Sequence, residues 1–115
     1  MPGAPRIALL LTSDEFGHGS SELGRILMRS FLKTVVGTEP KPEWAIFMNA
    51  GVRLTSEGSE LLDDIQVLEA AGVRILSCGT CLDYLNLRKQ LKVGQATNMN
   101  DTVRTLMTAD RVIVP

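Results

Sequence analysis

A chain of 115 residues with a formal net charge of -1 holds one domain and carries no basic field of the kind that binds nucleic acid. Aromatic residues make up 4% of it, too few for base-stacking platforms, and no apolar run approaches the roughly 20 residues that span a bilayer. Met1-Pro2-Gly3-Ala4-Pro5-Arg6 lacks the charged-then-apolar order of a signal peptide, so a cytoplasmic, reducing setting is expected.

Strand and helix signals alternate along the chain. Residues 6–12 form a continuous apolar run of strand length, suited to a strand buried on both faces. The loop 13–20 follows, with Gly17-His18-Gly19 near its end. A helix capped by Ser20 or Ser21 places Leu23, Ile26, Leu27, Ser30, Phe31 and Val35 on one face, and Gly37, Pro40 and Pro42 break it. The second strand, 44–48, ends in a polar-glycine loop at Asn49, Ala50, Gly51 and Val52. A second helix, capped by Ser59, turns Leu61, Leu62, Ile65 and Leu68 inward and stops at Gly72. The third strand, 73–77, delivers Cys78. A third helix is expected from about Cys81 towards Lys89, with Thr80 as its N-cap and Asp83 at its third position, an approximate capping box. A weak fourth strand lies near 93–97. A last helix starts near Asn100 or Asp101 and carries Val103, Leu106 and Met107, and a fifth strand covers 111–114.

This alternation implies mainly parallel strands joined by right-handed crossovers. The expected architecture is a single domain over residues 1–115, a three-layer α/β/α sandwich of flavodoxin-like or Rossmann-like type around a five-stranded sheet. Trp44 and Phe16 are expected to be exposed. In such a fold the loops beyond the carboxyl ends of the strands share one rim, where ligands collect. Ser13, Asp14, Asn49, Gly51, the stretch Cys78 to Cys81, and Asn98 are expected there.

Cys78-Gly79-Thr80-Cys81 contains both cysteines of the chain. In a reducing compartment such a pair serves catalysis or metal binding more often than a structural disulfide. A cysteine in a first helical turn meets free backbone N–H groups that favour its thiolate, the form that attacks or carries sulfur. Zinc wants four ligands, and one chain supplies two cysteines and His18; two chains together offer four cysteines. Gly17 and Gly19 resemble a fragment of a phosphate-cradling loop but lack the full glycine pattern and a lysine, so a turn into the helix is the simpler reading. Asp14, Asn49 and Asn98 suit either a ligand or the bracing of one loop against the next. No organic cofactor and no metal are implied.

Several segments together resemble the carboxy-terminal domain of YedF-like proteins, in the DsrE/DsrF-like superfamily. They are Thr12-Ser13-Asp14 with Gly17 and Gly19, residues 22–28 with Phe31-Leu32, 48–54, Gly58-Ser59, 68–73, 75–84, Val93-Gly94 and Thr97-Asn98-Met99. The resemblance implies a DsrE-like fold, sulfur-transfer or redox chemistry, a link to selenium metabolism, a persulfide on Cys78, and oligomeric assembly. YedF-like proteins typically begin with a SirA/TusA-like domain for which this chain has no room, so the resemblance implies either a separate SirA/TusA-like partner protein or a branch that works without it.

Three functions follow as expectations. The first is a sulfur carrier or sulfurtransferase with Cys78 as nucleophile, Cys81 as resolving partner, and Gly79 and Thr80 presenting N–H groups. The second is a thiol-disulfide oxidoreductase using the same pair. The third is a non-enzymatic oligomeric binding subunit.

Overall fold

The computed structural model describes residues 4–115; Met1-Pro2-Gly3, part of the segment taken above to lack a signal-peptide pattern, lie outside the described residues. Five parallel strands form one sheet: β1 (Ile7–Leu11), β2 (Trp44–Phe47), β3 (Arg74–Cys78), β4 (Gln95–Thr97) and β5 (Arg111–Ile113), in the order β4-β3-β2-β1-β5. The register sets Leu9 beside Ala45 and Ile113, Ala45 beside Ile75, and Cys78 beside Thr97. The central strands are continuous apolar runs because both of their faces are covered.

The helices are α1 (Ser21–Val36), α2 (Leu62–Ala70), α3 (Gly79–Tyr84) and α4 (Met99–Thr108). Their distribution follows from the strand order. Three successive steps, β1 to β4, run in one direction and place α1, α2 and α3 on one face of the sheet; the return from β4 to β5 runs the other way and places α4 on the opposite face. The first face carries the main core, with Met28, Leu32, Ile65, Leu68 and Leu82 packed on Leu9, Leu11, Phe47 and Ile75. On the second face the buried apolar cluster among the described residues is Ala8, Trp44 and Ile46, with Leu10, Leu76 and Leu106 around them. A helix with its side chains is about 10–12 Å wide and the five strands span about 19 Å, so α4 alone covers that face thinly.

Several local expectations are corrected. The buried face of α1 is Gly24, Met28 and Leu32, whereas Leu23, Ile26 and Leu27 are exposed. Gly24 decides the rotation: a Cβ there would lie 2.8 Å from the Glu15 Cβ, so only glycine lets the first loop cross the helix this closely. Trp44 is buried rather than exposed, with the Arg6 guanidinium 4.9 Å above its ring. Phe16 is half-buried against Phe31, with ring centroids 5.5 Å apart. Ser59 accepts the Leu61 N–H at 3.1 Å in the turn before α2, which starts at Leu62 without a side-chain cap. The polar-glycine stretch after β2 is a 3-10 turn, Asn49–Thr55. A second short 3-10 turn, Arg88–Gln90, follows α3 where a longer helix was expected.

Candidate functional site

β3 runs into α3 with no intervening loop. Cys78 is the last residue of the strand and the N-cap of the helix, and its Sγ accepts the Cys81 N–H at 3.4 Å. This corrects the expected cap at Thr80. The helix starts two residues earlier than its Thr-x-x-Asp pattern suggests, so Thr80 lies exposed in the first turn, and the Asp83 carboxylate turns to Arg88 instead. Cys78 is buried at 6% exposure and belongs to the main core; Cys81 is half-buried beside it, and both are free thiols.

The two sulfurs have different surroundings. Cys81 Sγ accepts the backbone N–H of Asn49 at 3.1 Å. Burial pushes the Cys81 thiol above its ordinary range, and its hydrogen bond to Cys78 pushes it further, outweighing the Asn49 N–H, which pulls the other way. The two sulfurs are thus bonded by different backbone N–H groups, Cys81 Sγ by that of Asn49 and Cys78 Sγ by that of Cys81.

Backbone contacts tie the rim together from strand to strand. Asn49, with φ 51°, begins the 3-10 turn that reaches Cys81. Gly51 sits on the end of β1; a Cβ there would collide with the Leu11 carbonyl oxygen and lie 3.4 Å from the Ser13 nitrogen. At the other end of the same turn, Thr55 Oγ1 and Ser77 Oγ are 2.7 Å apart, both fully buried, one residue before Cys78. Gly79 faces the end of β4, where a Cβ would lie 3.2 Å from the Thr97 carbonyl oxygen. The carboxyl ends of β1 to β4 are thus linked in series by the turn Asn49–Thr55 and by Gly79, with the cysteine pair at the end of β3.

The remaining expected residues have separate places. Ser13 Oγ accepts the Glu15 N–H at 3.0 Å in a local turn. Asp14 lines a cavity of about 420 Å³ with Arg25, Met28, Arg53 and Leu61, whose walls do not include either cysteine. Gly17 and Gly19 take positive φ values of 77° and 134° in the exposed loop that also carries His18. Asn98 caps α4, accepting the Asp101 N–H at 2.8 Å, so its side chain is occupied there. Among the described residues, no group of three or more His, Cys, Asp and Glu side chains is placed to hold a metal ion.

Sequence reasoning passed over Arg88. Its Nε and Nη2 donate to the two Asp83 carboxylate oxygens at 2.8 and 2.9 Å, and Nη2 also donates to the Gly79 carbonyl at 3.2 Å. A Cβ on Gly79 would lie 2.9 Å from Nη2, so the bare glycine makes room for the guanidinium. A spacing of five residues does not match helical neighbours at three or four. The pair forms because α3 ends at Tyr84 and Asn86, with φ 58°, turns the chain back. The left-handed position at Asn86 was the available signal.

No protein-family model matches the chain, and no curated protein matches it. Solved structures do. The ychN protein of E. coli superposes with a TM-score of 0.73 at 16% identity, covering 97% of this chain and 100% of that one. MTH1491 of Methanobacterium thermoautotrophicum, described as a protein of unknown function, gives 0.72 at 19% identity with the same coverage. The chain has a DsrE-like fold. In this fold, Cys78 and Cys81 stand near each other at the end of β3 and the start of α3.

Proposed function

We propose that this protein is a YedF-like sulfur carrier or sulfurtransferase that holds a persulfide on Cys78 and uses Cys81 as the resolving partner. The observation that carries the reading is the pairing itself: Cys78 caps α3 at a strand end and accepts the Cys81 backbone N–H, with the free, half-buried Cys81 thiol beside it. In the loading step the Cys78 thiolate attacks the terminal sulfur of a donor persulfide. A new S–S bond forms on Cys78, the donor S–S bond breaks, and its electron pair leaves with the donor thiolate. In the release step Cys81 attacks Cys78 Sγ. The Cys78–Cys81 disulfide forms, the outer sulfur departs as hydrogen sulfide with the Cys81 proton, and an external dithiol restores the pair. Selenium, the heavier congener, follows the same steps in the activity the YedF resemblance suggests.

The partners in this reading are a sulfur-donor or acceptor protein, including a separate SirA/TusA-like protein, and further copies of the same chain. Leu23 and Leu27 on the flank of α1 away from α2, with Val112 and Ile113 on edge strand β5, support self-association because they are exposed and apolar. The proposed compartment is the cytoplasm; no helix among the described residues is long and apolar enough to cross a membrane.

Substitution of Cys81 separates this function from thiol-disulfide exchange. Cys81→Ser of a carrier still takes one sulfur from a persulfidated donor onto Cys78. The same variant of an oxidoreductase takes none and stalls as a mixed disulfide.

A further inference from the structure

A cation fixed against the reactive turn bears on what that turn accepts. Three of the five Arg88 N–H groups are used inside the protein, two on Asp83 and one on the Gly79 carbonyl; the two on Nη1 have no protein acceptor among the described residues. The ion pair is also oriented. The atoms nearest a Cβ on Gly79 are Arg88 Nη2 and Cζ, at 2.9 and 3.5 Å, together with the Thr97 carbonyl, and the Asp83 carboxylate is not among them. The guanidinium end of the pair therefore lies against the cysteine turn at Gly79. The other elements that close on the turn bring Asn49 and Thr97, both uncharged, and Lys89 lies exposed beside Arg88.

We infer that Arg88 is a specificity-determining positioning residue, which makes Cys78 favour reaction partners that carry a negative charge beside the attacked atom over neutral partners with the same leaving group. The inference rests on Cys78 being the nucleophile proposed above. In that role both the donor persulfide and the loaded product are anions, and a fixed guanidinium suits both.

The test compares iodoacetate with iodoacetamide at Cys78, read by peptide mass spectrometry on the reduced protein. Each reagent forms an Sγ–CH2 bond at the thiolate and breaks its C–I bond, and iodide leaves with the electron pair. The ratio of the two rates cancels the thiolate fraction and the access to sulfur, and leaves the effect of reagent charge. In Arg88→Gln the iodoacetate-to-iodoacetamide ratio falls about three- to tenfold, the range for one screened charge near the reacting atom. Arg88→Lys keeps most of the ratio. Asp83→Asn, which leaves the cation in place, raises it. The gap between wild type and Arg88→Gln narrows towards ~1 M salt. An unchanged ratio in Arg88→Gln, or both rates falling together at constant ratio, overturns the inference and leaves the carrier reading intact. A wild-type Cys78 that reacts with neither reagent overturns both.

Discussion

The Sγ of Cys81 accepts the backbone N–H of Asn49 at 3.1 Å, which joins the turn after β2 to the cysteine pair after β3. The cysteine pair is therefore braced by a neighbouring loop as well as by its own helix.

Buried hydroxyls behind Cys78 give an asymmetric pair of variants. Thr55 has one hydroxyl hydrogen and donates it to the Val52 carbonyl at 3.0 Å, so Ser77 must donate to Thr55. Thr55→Val leaves the Ser77 O–H buried without an acceptor and is expected to cost about 1–3 kcal/mol. Ser77→Ala leaves Thr55 still bonded and is expected to cost only about 0.5–1.5 kcal/mol. The double variant costs less than the sum. Denaturant unfolding of the four proteins measures the cycle; strict additivity would refute the coupling, and a Ser77→Ala cost equal to or above that of Thr55→Val would refute the assigned donor direction.

Capping separates two residues that look alike in sequence. Asn98→Ala removes the acceptor for the Asp101 N–H and is expected to cost about 0.5–2 kcal/mol. Thr80→Ala removes no cap and is expected to stay within about 0.5 kcal/mol of wild type. Equal costs in thermal or denaturant unfolding would restore Thr80 as a cap.

Gly51→Ala tests the bracing directly. The added methyl meets the Leu11 carbonyl, and the turn Asn49–Thr55 must shift away from β1. Overpacking of this kind costs about 1–3 kcal/mol. The shift also moves Asn49 from Cys81, so alkylation of Cys81 by iodoacetamide should change in rate. A variant with wild-type stability and wild-type alkylation would mean that the rim contacts are incidental.

Stability on the alkaline side follows from the Cys81 proton. The folded state raises this thiol above its ordinary value of about 8.5, so the folded protein binds the proton more tightly than the unfolded chain. The stabilisation is fully present below the ordinary thiol range and is lost as pH rises from that range through the raised folded value. Cys81→Ser lacks this loss, and its unfolding free energy should fall less between neutral and alkaline pH. On the acid side the sign reverses. Asp83 is held low by Arg88, so its contribution is present above the ordinary carboxylate range and disappears as pH falls through the lowered folded value. Asp83→Asn should flatten that acid decline. Parallel pH–stability curves for wild type and either variant would contradict the corresponding assignment.

Much of the fold was legible because doubly covered strands must be apolar throughout: Ala8, Leu9, Ala45, Ile46 and Phe47 are all buried. The face of α1 was not, because Leu23, Ile26 and Leu27 outweigh Gly24 in any hydrophobic count, while the helix seats itself through the one residue with no side chain. At the site, the CxxC spacing was legible since it contains the chain's only cysteines. The cap was misplaced because Thr80 and Asp83 imitate a capping box, and the absence of a loop between β3 and α3 is a property of the backbone path rather than of residue type. Arg88 was hidden for a related reason, since its approach to Gly79 depends on the reversal at Asn86.

The most direct test of the central claim is intact-mass analysis of the reduced protein after incubation with a persulfidated donor and removal of that donor. The proposed carrier gains one sulfur atom, loses it on treatment with dithiothreitol, and gains none when Cys78 is replaced by serine. A wild-type protein that gains no sulfur while Cys78 remains open to alkylation would contradict the account, as would a gain that persists in Cys78→Ser.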